Sequence, residues 1–145
     1  MTIDAAFVGK TWPSLTYEVG KEKIKEYARA IKNTDPYYVD DEFAKKSKYG
    51  TIVAPPTFAV VYGAQLIEPI FFDNELNLNL AMLVHGEQEF EFYDVVKAGD
   101  VLTSEAKIVD IQNKEKLDVI SIELMTRNQF DDEVCRGTYT FVVRK

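Results

Sequence analysis

Hydrophobic and polar positions divide the chain into a front part with helical spacing and a back part with alternating spacing. In the segment KEKIKEYARAIK, residues 21–32, apolar side chains recur at i, i+3, i+4 and i+7. This spacing predicts an amphipathic helix. The helix should end near Asn33, because the residue before Pro36 is biased away from helical backbone angles.

A second helical segment has a different character. It begins at Pro55-Pro56, where missing amide protons are tolerated in a first turn, and it runs almost without charge to Ile67. Such a helix must be surrounded by protein on nearly every side. The following PIFFDNELNLNLAML, residues 69–83, indicates either a mobile flap over an apolar tunnel or a connection folded onto the core.

The back part alternates between apolar and polar residues from Gln88 onward, and three further long alternating segments follow at 101–111, 117–127 and 134–144. Antiparallel strands that wrap around one apolar helix define an α+β class, the hot-dog fold. A β-sandwich gives that helix no role, and a parallel α/β sheet needs a different order of elements. We expect one domain over residues 1–145, whose exposed sheet edges favour pairing into a dimer.

Composition excludes several kinds of partner. The formal charge is −7 and the acidic and basic residues are interleaved, which disfavours nucleic acid and anionic membranes. The beginning of the chain lacks the pattern of a signal peptide, so a cytoplasmic protein is expected. With one cysteine, Cys135, and one histidine, neither a disulfide nor a metal site is predicted, and no cofactor is expected.

Two segments carry a family resemblance. Residues 24–58, IKEYARAIKNTDPYYVDDEFAKKSKYGTIVAPPTF, resemble the signature of the MaoC-like, or R-specific enoyl-thioester hydratase, branch of hot-dog proteins. Residues 85–102, HGEQEFEFYDVVKAGDVL, resemble a subgroup of that branch. The subgroup comprises N-terminal-type dehydratase domains, including the non-catalytic subunit of mycobacterial-type (3R)-hydroxyacyl carrier-protein dehydratases.

The resemblance implies which side chains would handle the reacting water. Active members carry D-x-N-P-x-H, whose Asp and His hold the water that is added to a thioester double bond. This chain has Asn33 in place of the Asp, Asp35 in place of the Asn, and Tyr38 in place of the His. An amide does not titrate in the useful range, and a phenol with an ordinary pKa of about 10 is a poor base at neutral pH.

The turn that enters the central helix differs as well. Active members use a backbone N–H in an A-H-G-M-like turn to polarise the thioester carbonyl. Here the turn reads Ala54-Pro55-Pro56-Thr57, and proline has no N–H to donate. Losing one such donor costs on the order of a hundredfold in rate. We therefore expect the resembling positions to form a substrate-binding or vestigial site; an ordinary turn covered by tyrosines is the simpler alternative.

His85 and Glu87 are the remaining candidates for acid/base chemistry. Their i, i+2 spacing predicts side chains on one face of a strand, where they could share a proton. A lone histidine at a strand entrance is more often structural, and the neighbouring glutamates are typical of a solvated face.

Three functions remain open from sequence. The first is a substrate-binding, non-catalytic subunit of a (3R)-hydroxyacyl-thioester dehydratase, paired with a catalytic hot-dog subunit. The second is a self-sufficient homodimeric hydratase that uses His85 and Glu87. The third is an acyl-thioester binding or thioesterase-like protein, since a fold does not fix a reaction. The sequence does not distinguish an acyl-CoA from an acyl-ACP thioester, although Lys45, Lys46 and Lys48 could contact an acidic carrier.

Overall fold

A five-stranded antiparallel sheet forms most of the second half of the chain. The computed structural model describes residues 2–145. Its strands are β1 Leu15–Glu18, β2 Leu83–Phe92, β3 Val101–Asn113, β4 Leu117–Arg127 and β5 Glu133–Arg144. They lie in the order β1-β3-β4-β5-β2, with β2 at one edge. Hairpins join β3 to β4 and β4 to β5, whereas β2 pairs with β5 and not with the strand that follows it in the chain. Strand β1 was not predicted because four residues give too short an alternation.

The helices lie in the first half of the chain. They are α1 Lys21–Ala30, α2 Pro36–Val39, α3 Asp41–Lys46 and α4 Ala59–Phe71. The amphipathic helix ends before Asn33, as predicted. A 3₁₀ turn at Pro56–Phe58 precedes α4, and α4 extends past Ile67 because Pro69 removes only one hydrogen bond near the helix end. No helix among residues 2–145 combines the length and apolar character needed to cross a membrane.

The core lies between α4 and the concave face of the sheet. Leu66 and Ile70 of α4 are almost fully buried in one cluster with the inward side chains of β3, β4 and β5. These inward residues include Ile108, Ile120 and Ile122, each 0% exposed. Alternation along the strands thus supplies one apolar surface, and the nearly uncharged helix fills it. This arrangement is the predicted hot-dog fold.

The connection between α4 and β2 is folded onto the core. Leu76 is 4% exposed and belongs to the main core cluster. The Trp12 indole N–H donates to the Asp73 carboxylate at 2.9 Å, and the Lys10 ammonium lies 3.4 Å from the same carboxylate. These contacts favour the second sequence-based alternative, a packed connection, over an open flap.

A buried carboxylate ties the beginning of the chain to its end. Asp118, 1% exposed, accepts hydrogen bonds from the Ile3 backbone N–H and the Asn113 side-chain amide, both at 2.9 Å. The Lys145 ammonium lies 3.4 Å away. Burial alone would raise the pKa of Asp118, but the Asn113 and Ile3 hydrogen bonds and Lys145 hold it below its ordinary value.

Replacement of this carboxylate should destabilise the fold. We expect Asp118→Ala to lower the free energy of unfolding by about 3 kcal/mol at neutral pH, because it leaves buried donors without an acceptor. Because the pKa of Asp118 is lower in the folded state than its ordinary value of 3.8, the ionised carboxylate stabilises the fold at pH values above 3.8. This contribution is lost as the pH falls through the folded-state pKa. The difference in unfolding free energy between Asp118→Ala and the parent, measured with urea, should therefore become smaller below about pH 4.

Asp110→Ala is the matched control. Within the described residues, the Asp110 side chain accepts one exposed hydrogen bond, from Gln112. Its removal should change the unfolding free energy by no more than about 0.5 kcal/mol. Equal effects of the two substitutions, or a difference that does not depend on pH, would contradict the proposed role of Asp118.

Candidate functional site

A cavity of about 570 Å³ lies between α2, the turn that enters α4, and the segment after β2. We call it the tyrosine cavity, because tyrosines from several elements line it: Tyr37, Tyr38, Tyr49, Tyr62 and Tyr93. The remaining wall is largely apolar and includes Phe58 and Val134. Lys48 and Asp94 supply its charged groups. Its size and mostly apolar lining match the sites that take small organic ligands.

Local sequence features place the tyrosines of α2 at this wall. The Asp35 side chain caps α2 by accepting from the Tyr37 backbone N–H at 3.1 Å, and Pro36 occupies the first turn. The Tyr37 ring packs edge-on against Phe43 and Tyr49, with ring centroids 4.9 Å and 5.8 Å away. The short helix is therefore fixed at both its start and its aromatic face, which holds the next residue, Tyr38, toward the cavity.

The structure brings together only part of the site predicted from the resemblance. Tyr38, Ala54 and Pro56 line the tyrosine cavity, as does Pro55. The Tyr38 side chain replaces the expected histidine, and burial, then the charge of Asp35, raises the pKa of its phenol. The phenol therefore stays protonated at neutral pH, where it can donate a hydrogen bond but cannot act as a base.

Three other predicted residues do not line the cavity. Asn33 follows α1, where its backbone N–H donates to the Ala28 carbonyl at 2.9 Å. Asp35 acts as the helix cap described above. The Thr57 hydroxyl lies 2.9 Å from the Tyr27 hydroxyl, which joins the start of α4 to α1. These contacts of the three residues are therefore within the protein framework, and none of the three lines the cavity.

The turn into α4 has few amide protons to offer a ligand. The Ala54 N–H donates to the Val96 carbonyl at 2.8 Å. Pro55 and Pro56 carry no N–H. The Phe58 N–H donates to the Pro55 carbonyl at 2.9 Å. The cavity wall that these residues form is consequently suited to packing against a ligand more than to polarising a carbonyl.

The expectation that His85 and Glu87 share one face of β2 is wrong. The register of β2 against β5 shifts between these two residues, so that His85 pairs with Phe141 and Glu87 pairs with Thr140. Phe141 and Thr140 are consecutive and point to opposite faces of β5. A bulge that sequence spacing does not reveal thus sends the two side chains to opposite faces of the sheet.

His85 lies against aromatic rings on the helix side of the sheet. Its ring stacks on Tyr139 with centroids 5.8 Å apart, and it lies 4.9 Å from the Phe141 ring. Its Nε2 is 3.0 Å from the Glu87 backbone carbonyl. The histidine is therefore held by backbone and ring contacts, and the Glu87 carboxylate is not placed to share its proton.

His85 also lines a second, more open depression of about 710 Å³, which we call the α4 groove. One wall comes from α4, including Val60 and Ala64, and from Phe72 just after it; the other comes from β2 and β5. The groove was not predicted from the sequence, although α4 carries more apolar residues than a surface helix needs. Among the apolar residues that line it, Phe72 is 67% exposed and Val60 of α4 is 38% exposed. Apolar side chains at this density on a surface indicate an interaction site.

The fold is that of a hot-dog protein, and comparison with known proteins places the chain among dehydratase domains. The model of the FAS1-like dehydratase domain region matches residues 6–136. The chain belongs to this family. A UPF0336 protein of Saccharopolyspora erythraea is 36% identical over 145 residues, which cover 99% of this chain and 93% of the relative.

Solved structures show the same fold. The HadBC (3R-hydroxyacyl-ACP dehydratase) complex from Mycobacterium tuberculosis contains a similar chain, with a TM-score of 0.82, 24% identity and coverage of 98% of this chain and 99% of that one. A MaoC-like dehydratase gives a TM-score of 0.84 at 26% identity. That match covers 95% of this chain but 42% of the other, so the hot-dog unit described here corresponds to less than half of the longer protein.

Proposed function

We propose that this protein is the substrate-binding, non-catalytic subunit of a (3R)-hydroxyacyl-thioester dehydratase, and that it works with a second hot-dog chain bearing Asp and His. The observation that carries the proposal is the composition of the tyrosine cavity. Its volume of about 570 Å³ suits the acyl end of a thioester, yet a protonated phenol, Tyr38, stands where the family's base would be. Asn33 replaces the family's Asp.

Two similar proteins support this division of labour. One is a dehydratase named as a complex, HadBC, and the other is a MaoC-like dehydratase chain of which this protein matches less than half. In both cases a unit of this size occurs with additional protein. A catalytic partner would supply the water-activating residues, while the tyrosine cavity would hold the acyl thioester of CoA or ACP.

The expected docking surface for that partner is the β2 edge with the α4 groove beside it. β2 ends the strand order, so one side of its backbone lacks a neighbouring strand within the described chain. An unpaired edge next to apolar side chains is a template for pairing with another sheet. A second hot-dog chain, whether the catalytic partner or another copy, presents a matching edge and helix.

A charge introduced into the groove should weaken this association. We expect Ala64→Arg to raise the dissociation constant of the complex at least about tenfold, because a guanidinium would be buried against apolar side chains. The dissociation constant can be measured by isothermal titration with the partner, or by sedimentation equilibrium for a homodimer.

Gln65→Arg provides the matched control on the same helix. Gln65 is exposed, like Ala64, but it does not line the α4 groove. Its substitution should leave the dissociation constant unchanged. Association that is insensitive to both substitutions would place the interface elsewhere.

The assay of ligand binding tests the other half of the proposal. Saturated S-alkyl thioethers of coenzyme A cannot be hydrated or hydrolysed, so calorimetry with them measures binding alone. We expect binding to the purified chain in a one-to-one ratio. Absence of binding across a range of alkyl lengths, both to the chain alone and to its complex, would overturn the proposed function.

A further inference from the structure

The inner end of the tyrosine cavity is closed by a single residue layer. Ala59 and Tyr62 of α4 line the cavity, and they also line a separate internal void of about 10 Å³. Tyr62 is 5% exposed, so its ring fills space between the helix and the sheet. The ring is therefore the partition between the cavity and the void.

A second tyrosine closes the far side of the void. Tyr139 of β5 lines the void and also the α4 groove. Its hydroxyl lies against Gly63 so closely that a Cβ added there would be 2.5 Å from the oxygen. Glycine at this helix position makes room for the ring. The tyrosine cavity, the void and the groove thus lie in series, separated first by Tyr62 and then by Tyr139.

The surroundings of the void suit an alkyl chain. Among the described residues, those that line it carry no formal charge, and they include Phe90, Leu124 and Cys135. Cys135 is buried, and burial raises the pKa of its thiol, so the thiol stays neutral. Burial also raises the pKa of Tyr139 to about 12, which keeps this phenol uncharged. A charged ligand would lose its hydration here without a counter-charge, whereas methylene groups would gain by burial.

We propose that Tyr62 sets the length of the alkyl chain that the tyrosine cavity accepts, and that Tyr139 forms a second stop behind it. This inference rests on the proposed function, since it assigns a length limit to the acyl chain of the bound thioester. A chain that enters at Tyr38 would extend toward Tyr62 and end against its ring. Without that ring, the void would join the cavity, and the chain would extend to Tyr139.

The dependence of affinity on alkyl length tests the proposal. S-alkyl thioethers of coenzyme A from butyl to hexadecyl are titrated into the parent protein and into Tyr62→Ala. For the parent, affinity should rise by up to about fourfold per added methylene and then level off where the chain meets Tyr62. For Tyr62→Ala, the rise should continue to longer chains, which gives about a tenfold gain in affinity for thioethers beyond the parent's limit.

Tyr139→Ala is the matched control, because Tyr139 has the same size and the same 5% exposure as Tyr62. With Tyr62 in place, its loss should leave the length limit unchanged. Tyr62→Phe should also keep the parent's limit, since the ring remains. If Tyr139→Ala extends the limit as far as Tyr62→Ala does, the serial order is wrong.

Ala59→Phe tests the same partition in the opposite direction and does not depend on the folding of Tyr62→Ala. Ala59 lines both the cavity and the void, so a ring there should shorten the limit. If the alkyl length at which affinity levels off is the same for the parent and for every folded variant, Tyr62 does not set that length. The proposed function would still stand, because the thioethers bind. Thioethers that bind neither the parent nor its complex would overturn both.

Discussion

Purified on its own, the chain should hydrate crotonyl-CoA and longer enoyl thioesters no faster than buffer does. The reason is the absence of three parts that the family's reaction uses: Asn33 and Tyr38 replace the acid and base, and prolines occupy the turn into α4. The loss of each part costs about a hundredfold or more in rate. Loss of a single part would leave residual turnover, whereas loss of all three should leave none above background. Loss of the enoyl ultraviolet absorbance measures the reaction.

Two substitutions make this expectation specific. Tyr38→Phe and His85→Ala should leave the background rate unchanged, because neither side chain takes part in water activation by this chain. Substantial hydration that disappears in His85→Ala would instead support the self-sufficient homodimeric hydratase. Release of free thiol from saturated acyl thioesters, followed in the same samples, would support the thioesterase-like alternative.

The largest loss of stability is expected from Phe58→Ala. Phe58 is 1% exposed and its ring packs among Tyr17, Tyr27 and Tyr62, with centroids 5.6 to 6.4 Å apart across this cluster. The cluster joins α1 and β1 to the start of α4. Truncation to alanine should lower the free energy of unfolding by about 3–5 kcal/mol, because the removed ring leaves a cavity that its neighbours fill only in part.

Phe130→Ala is the control for that measurement. Phe130 is 74% exposed at the tip between β4 and β5, and its loss should change the unfolding free energy by no more than about 0.5 kcal/mol. Urea unfolding followed by circular dichroism compares both variants with the parent. Similar losses for the two phenylalanines would show that the aromatic cluster contributes little.

The sequence predicted the fold class because two kinds of spacing were long and clear. The nearly uncharged helix after Pro55 and the alternation through Ile120 and Ile122 lie where their patterns placed them, facing each other across the core. Strand β1 was missed because four residues give little periodic signal. The end of α4 was misplaced because a proline near the end of a helix weakens it without always ending it.

The site was predictable only in part, for a similar reason. Tyr38, Ala54 and Pro56 could be placed together because the resemblance spans them without a gap, and all three line one cavity. The pairing of His85 with Glu87 could not be judged from spacing, since one bulge in β2 reverses the face of every residue on one side of it. The partition formed by Tyr62 depends on contacts between distant segments, which a local pattern does not contain.

The most direct test adds the purified chain in increasing amounts to a hot-dog subunit that carries D-x-N-P-x-H, and follows hydration of a long-chain enoyl thioester. The proposed function predicts that kcat/KM rises with each addition and stops rising at a one-to-one ratio. It also predicts that Ala64→Arg shifts this titration to higher concentrations. A rate that is independent of the added chain, or one that equals the sum of two separately active proteins, would contradict a substrate-binding subunit.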